Sequence, residues 1–360
     1  MKKFFNILLF LSCVLFFVAC EQESMNDHIN TEANTSVILT KKQSKALLAN
    51  GISPITEDLE KITLEVFGKT MSGIKVGDYF LTNDQINSMV EADYSSLESR
   101  LFASTNRVSL PQYGKRTLRV AGVATGIDRL PNKSLNALSQ AVSRYNQLGM
   151  AKLNMSFTTV TEAEANNGAD FFGPLDIVVF VDSDRSTISG GSRGLATFPS
   201  AGNPGRFVAL SADLNDSSLN NITSLVQHEL GHTIGMVHAD FLTRRTCGNQ
   251  TPLDPVLGDL VGVPNVTEVC NIVGTDDSGD FDNSIMRACG IFAIPNFTNE
   301  DVDAFRKLYS DIEIPCAGND NNDDDDDGGN NNNNCTPQSE VSYLPQYFIN
   351  ILISAGLVCP

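Results

Sequence analysis

His228-Glu229-Leu230-Gly231-His232-Thr233-Ile234-Gly235-Met236-Val237-His238 gathers three of the four histidines of a 360-residue chain into one stretch. His228 and His232 are four residues apart, so on a helix they lie about 40° apart on one face and both imidazoles can reach one ion. Glu229 then projects beside that ion rather than onto it. Gly235 follows three residues after His232. Glycine reaches positive φ at least cost, so it can end the helix and turn the chain back. His238 is thereby placed to supply a third nitrogen. Three imidazoles leave one position of a tetrahedral zinc open for water. Zinc lowers the pKa of such a water, and Glu229 is placed to take its proton. The chemistry this pattern serves is metal-assisted hydrolysis of a peptide bond.

An H-E-x-x-H core alone is only moderately specific. With four His and 27 Gly in the chain, the added Gly235 and His238 at fixed offsets lower the odds of an accidental match by on the order of a thousandfold. The competing reading, three core histidines, needs a hydrogen-bond partner for each buried ring. Charge narrows the field further. Twenty-five basic against 43 acidic residues give a net charge of −18, which lacks the basic footprint of a nucleic-acid binder and opposes docking on anionic lipid. The acidic surface would mildly favour basic substrates.

The chain opens with an address. Lys2 and Lys3 precede an apolar run from Phe4 to Ala19, a charged n-region and an h-region. Phe17-Val18-Ala19-Cys20 closes it. That ending resembles the lipobox of bacterial lipoproteins, which implies residues 1–20 as a signal peptide, a lipid anchor on Cys20 as the one contact with membrane, and an exported chain on the outer membrane or cell surface. An ordinary secretory peptide is the alternative. Either places the mature chain where disulfides are allowed. Six cysteines remain: Cys247, Cys270, Cys289, Cys316, Cys335 and Cys359. They permit 15 pairings. We expect Cys335 with Cys359, and the other four to staple the region between them.

Residues 21 to about 50 are polar and read as a tether. Leu59, Ile62 and Val66 have helix-like spacing over Asp58 to Phe67, and Gly77 to Leu81 reads as a short strand. Thr82 with Gln85 forms a capping box for a helix through Val90. Thr117 to Val123, Leu153 to Val160, Asp176 to Val181 and Phe207 to Leu210 read as strands. Leu195 to Phe198, followed by Pro199, reads as an edge strand. Helices are expected at 134–148, where Gly149 supplies the stop, and from Ile222 to Met236. Thr298 and Asp301 cap a last helix that buries Val302, Phe305 and Tyr309. The order is that of an α+β fold: a twisted mixed β-sheet with a backing helix and a helix carrying the histidines, then an irregular, disulfide-stapled C-terminal subdomain with a final helix. The organisation expected is 1–20 signal, 21–105 tether and possible pro-region, 106–316 catalytic domain, 317–334 Asp/Asn-rich linker and 335–360 a short tail. The linker lacks the ordered spacing of a calcium loop, so a structural Ca2+ there is the weaker reading.

The pattern from His228 to His238 is similar to that of the metzincin zinc endopeptidases. With Ala239-Asp240 and the downstream Asn283-Ser284-Ile285-Met286-Arg287-Ala288-Cys289, the chain resembles the HEIGH metallopeptidases of bacterial secreted proteins and lipoproteins, Leu230 standing for the name-giving Ile. Arg245 to Gly248, the late helix and, more loosely, Gly77 to Leu81 fit as well. The resemblance implies one catalytic Zn2+ held by His228, His232 and His238, with Glu229 as general base. It implies a Met-turn at Met286 beneath the metal, Asp240 orienting a ligand His, and Leu195 to Phe198 as the strand that receives extended substrate by strand addition. Where some metzincins carry a Tyr two residues after the Met-turn Met, Ala288 stands here, so that role is absent or filled elsewhere. No Cys lies between Cys20 and Cys247. A cysteine-switch propeptide is therefore excluded, and any inhibition by 21–105 would use a carboxylate or simple obstruction.

The reading is a zinc-dependent endopeptidase acting on protein or peptide substrates as a monomer. The alternatives are a catalytically silent surface binding lipoprotein on the same scaffold, against which the intact Glu229 speaks, and a host-directed secreted protease toxin of the same chemistry.

Overall fold

The computed structural model of the chain describes residues 37, 39–52, 59–67, 69–88, 102–103, 107–168, 175–183, 188, 193–240, 245–247, 270–271, 283–294 and 296–310. The signal segment with Cys20, the Asp/Asn run, the C-terminal tail, and Cys316, Cys335 and Cys359 lie outside these residues.

In chain order the elements are α1 (Lys41–Ala49), β1 (Leu59–Val66), β2 (Lys69–Val76), β3 (Tyr79–Thr82), α2 (Asn83–Ser88), β4 (Phe102–Ala103), β5 (Arg116–Thr125), α3 (Asn132–Gln147), β6 (Leu153–Thr161), α4 (Glu162–Gly168), β7 (Ile177–Asp182), β8 (Gly194–Thr197), β9 (Phe207–Ser211), α5 (Leu219–Thr233), β10 (Cys270–Asn271) and α6 (Asn299–Leu308). Eight strands form one mixed sheet in the order β1-β2-β3-β8-β9-β7-β5-β6. The strands β6, β5, β7 and β9 are mutually parallel, and β8 runs antiparallel to β9. This is the mixed sheet of an α+β fold.

The central strands are apolar without interruption because both faces are covered. Ile177 and Val179, with Val208 and Leu210, pack under α3 and α5 through Leu138, Ala141, Val142, Tyr145, Ile222, Leu225 and Leu230. Their neighbours Val178 and Phe180, with Phe207 and Ala209, face the opposite side and meet Leu64 and Val66 of β1. The last helix closes the first of these cores. Thr298 and Asp301 form the capping box at its start. Phe305 stacks edge-on against Tyr145 and Phe297, with ring centroids 5.3 and 5.4 Å apart.

Three readings of the sequence change. Residues 59–66 are a strand, not a helix. Ile62, Leu64 and Val66 alternate at period two, and their pairing along all of β2 outweighs the three helically spaced apolar residues. Lys41–Ala49, read within the tether, is a helix whose Ala46 and Leu47 are buried against Leu81, Ile86 and Phe198. Finally, β8 is not at an edge. β3 lies beside it in parallel, with Tyr79 opposite Ala196 and Phe80 opposite Thr197. Pro199 falls just after β8 and leaves this pairing untouched.

Replacing Phe305 by Ala removes a fully buried ring from a three-ring cluster. We expect a loss of about 3–5 kcal/mol of stability, measured as a lower midpoint in urea unfolding.

Candidate metal centre and active site

The active-site helix α5 starts on Ser218, whose side chain accepts the N–H of Asn221, and ends after Thr233. Gly235 has φ +107°. Its N–H donates to His232 O, and Met236 N–H donates to Gly231 O, both at 3.0 Å. That is a Schellman turn, which needs positive φ at this position. It folds Val237 and His238 back toward the helix. The three imidazoles come together as the spacing predicts. His228 Nε2 lies 2.9 Å from His232 Nε2 and 3.3 Å from His238 Nε2, and all three side chains are buried.

The far side of each helix histidine fixes which nitrogen is free. His228 Nδ1 donates to Ile285 O at 2.7 Å and His232 Nδ1 to Met236 O at 2.8 Å. A carbonyl only accepts, so the hydrogen sits on Nδ1 in both rings and both Nε2 atoms present lone pairs. Two lone pairs facing each other at 2.9 Å cannot hydrogen-bond. Burial, and then the neighbouring His228 ring, hold His232 well below the ordinary imidazole pKa, so it stays neutral.

A fourth group faces the cluster. Asp78 Oδ2 is 3.1 Å from His228 Nε2, and Oδ1 is 3.2 Å from His238 Nε2. Burial alone would push this carboxyl up; only positive charge within the histidine cluster, on the rings or on an ion between them, holds it well below the usual carboxylate range. The reason for its position is local. Val76 pairs with Tyr79, leaving Gly77 and Asp78 as a two-residue hairpin loop with Gly77 at φ +59°. Glycine at the first loop position suits such a turn, and the loop tip carries the carboxylate into the cluster. Tyr79 extends the contact. Its hydroxyl accepts the N–H of His238 at 3.1 Å, and its ring packs on those of His232 and His238. Sequence reading marked Gly77 to Leu81 as a strand and did not single out Asp78 as a site residue. The only available signal was a Gly-Asp pair between two apolar runs, which points to a hairpin and to nothing chemical.

Asp78, His228, His232 and His238 each offer an atom within 4.8 Å of the others. Two ligands about 2.05 Å from a tetrahedral ion are separated by about 3.3 Å. The spacings here run from 2.9 to 3.9 Å around that figure, and three imidazoles with one carboxylate are a donor set suited to zinc.

Glu229 is fully buried beside this group, and neither carboxylate oxygen has a hydrogen-bond partner among the described residues. Burial, and then the charge of Asp78, push its carboxyl well above the usual range. Two carboxylates this close to neutral rings leave a site short of positive charge, which a divalent cation would supply. Room for Glu229 comes from Gly194 at the start of β8, where a Cβ would lie 2.1 Å from Glu229 Oε1.

Met286 is fully buried under the helix, and its Sδ would be 2.5 Å from a Cβ at Gly231. The glycine inside the H-E-L-G-H run thus lets Met286 and the Tyr145 hydroxyl come close beneath the helix. Asp240 accepts hydrogen bonds from the N–H and hydroxyl of Thr246 and from the N–H of Ala288. It ties together the two segments joined by the Cys247–Cys289 disulfide. Sequence reading also missed a second use of Asp301. Besides capping α6, it accepts the hydroxyl of Ser284 at 2.6 Å and the N–H of Ile285 at 3.0 Å. It therefore holds the peptide unit just before the carbonyl that orients His228, and through Ser284 Oγ, which accepts the N–H of Met286 at 3.0 Å, it also steadies the unit that contains that carbonyl.

Residues 74–309 match the family profile described as dual-action HEIGH metallo-peptidase. The chain belongs to that family. The match takes in the hairpin carrying Asp78 as well as the histidines, Met286 and α6. No curated protein matches the chain. As a HEIGH metallo-peptidase the chain is a metal-dependent hydrolase of proteins or peptides.

Two substitutions probe this arrangement. Asp301→Ala frees the Ile285 peptide, and metal affinity of the HEIGH peptidase is expected to fall about 10–100-fold, measured by competition with a chromophoric chelator. Gly194→Ala pushes the Glu229 carboxylate aside. It should lower kcat about tenfold or more with metal content unchanged by elemental mass spectrometry.

Proposed function

We propose that this chain is a zinc endopeptidase in which His228, His232 and His238 hold the ion and Glu229 is the general base. The observation that carries the reading is the convergence of imidazole lone pairs whose other nitrogens are already spent on backbone carbonyls. A buried arrangement of that kind is costly unless a cation sits between the rings. Zinc held there supplies Lewis acidity toward a substrate carbonyl and toward water.

The chain's own residues do the rest. Glu229, unpartnered and buried, takes the proton of the attacking water and returns it to the amine nitrogen as the C–N bond breaks. Met286 and Gly231 set the depth of the helix, and Ile285 and Met236 fix the ring orientations. An extended substrate that added as a strand along β8 would need the position now taken by β3. Residues 106–316 would form the catalytic domain, in the manner of a metzincin, with Met286 in its Met-turn. Export as a lipoprotein anchored through Cys20 is the localisation we infer from the leader. No helix among the described residues is long and apolar enough to cross a membrane.

The test is a pair of substitutions assayed before and after limited proteolysis. Glu229→Gln should retain one zinc per chain by elemental mass spectrometry and lose casein hydrolysis by about 10²–10⁴-fold. His238→Ala should lose zinc and hydrolysis together. Full casein activity in the Glu229→Gln protein would sink the proposed role of Glu229.

A further inference from the structure

We propose that residues 36–88 are an internal inhibitor: Asp78 is a fourth protein ligand to the ion, and β3 occupies the strand position on β8 that substrate must take. The proposal rests on the metallopeptidase reading above and concerns how that site is regulated.

Hydrolysis needs two vacancies, an open position on the ion for water and carbonyl and a free strand edge for the peptide. The same five residues fill both. Asp78 puts its oxygens 3.1 and 3.2 Å from His228 and His238 Nε2, the spacing of co-ligands. Its own carbonyl accepts the N–H of Ala196 at 2.9 Å, the first rung of the pairing between β3 and β8. Because a side-chain carboxylate reaches the centre where a scissile carbonyl would be, the hairpin obstructs without offering a bond to cut.

The segment is fastened by contacts that belong to the cleft. Gln85 Nε2 donates to Phe198 O at 2.8 Å, at the end of β8. Tyr79 packs on Phe198 and on two of the histidines. Leu47, Ile52, Val76, Leu81 and Ile86 form one core with Phe198 and Val237, and of these only the last two lie outside the segment. The ladder across the seam has just two residue pairs, Tyr79 with Ala196 and Phe80 with Thr197. A second core on the other face, where Leu64, Val66 and Phe80 pack with Phe180 and Phe207, adds to the hold, so release requires that the covalent connection be cut.

The test uses the full chain. In cobalt-substituted protein, wild type should resist azide, while Asp78→Ala and Asp78→Asn should change the visible spectrum and bind azide at least tenfold more tightly, because a ligand position has opened. A sequence for a specific protease is then inserted after Tyr113, which is 83% exposed, so that the chain can be nicked without removing any part. Uncut wild type should be nearly inactive on casein at every concentration. Nicked wild type should gain at least tenfold in specific activity on dilution, as the inhibitor leaves by mass action. Nicked Asp78→Ala should reach the same level at a concentration at least tenfold higher.

Identical cobalt spectra and azide affinities in wild type and both variants would overturn Asp78 as a ligand. Uncut wild type as active as the nicked form, with no dependence on dilution, would overturn the inhibitor. Azide binding opened by Asp78→Ala, with casein left intact by every form, would leave the coordination standing and instead sink the peptidase reading.

Discussion

The candidate metal centre depends on two backbone carbonyls. Ile285 O and Met236 O each accept the Nδ1–H of a histidine, and that choice leaves Nε2 bare and aimed at a common point. Much of the surrounding structure can be traced to keeping those carbonyls in place. Met236 is delivered by the Schellman turn at Gly235. Ile285 is held by Asp301, which is itself fixed at the start of the last helix by its capping box with Thr298. Gly231 lets Met286 come in beneath the helix. A candidate metal centre built on neutral rings is in this way shaped by groups that lie outside the ring cluster.

The sheet explains how residues 150 positions apart in sequence meet. Five strands, β6 to β8, belong to the part of the chain that carries the histidines. Three more, β3 to β1, come from upstream and continue the same sheet. Both faces of the seam are packed. Tyr79 and Leu81 join the cluster that includes Phe198 and Val237, and Phe80 joins the cluster with Phe207 and Leu195. Alternation along β3 thus serves two cores at once.

Much of this was legible in the sequence, and the limits are physical. The helix carrying His228 and His232, the turn at Gly235, both capping boxes and the run from Ile177 to Val181 all rest on local geometry, and each appears where residue spacing puts it. The strand at 59–66 was misread because three apolar residues fit a helical period by coincidence, while its real partner, β2, contributes nothing to a window read along the chain. Asp78 was not legible as a site residue. Its role arises from a strand pairing between segments more than a hundred residues apart, and a lone Asp in a two-residue loop has no periodicity to betray it. Asp240 was expected to orient a ligand His, but its visible bonds run to Thr246 and Ala288 and not to a ring.

The Cys247–Cys289 bridge closes 42 residues between the histidine motif and the segment bearing Met286. Loop-closure entropy assigns such a link about 4 kcal/mol. Thr246 and Ala288, the neighbours of those cysteines, are the residues Asp240 clasps, so covalent bond and carboxylate reinforce one another at a single point. Were the bridge opened by reduction, the helix could still present its histidines, but the Asp240 carboxylate would be left to join the two segments without the covalent tie.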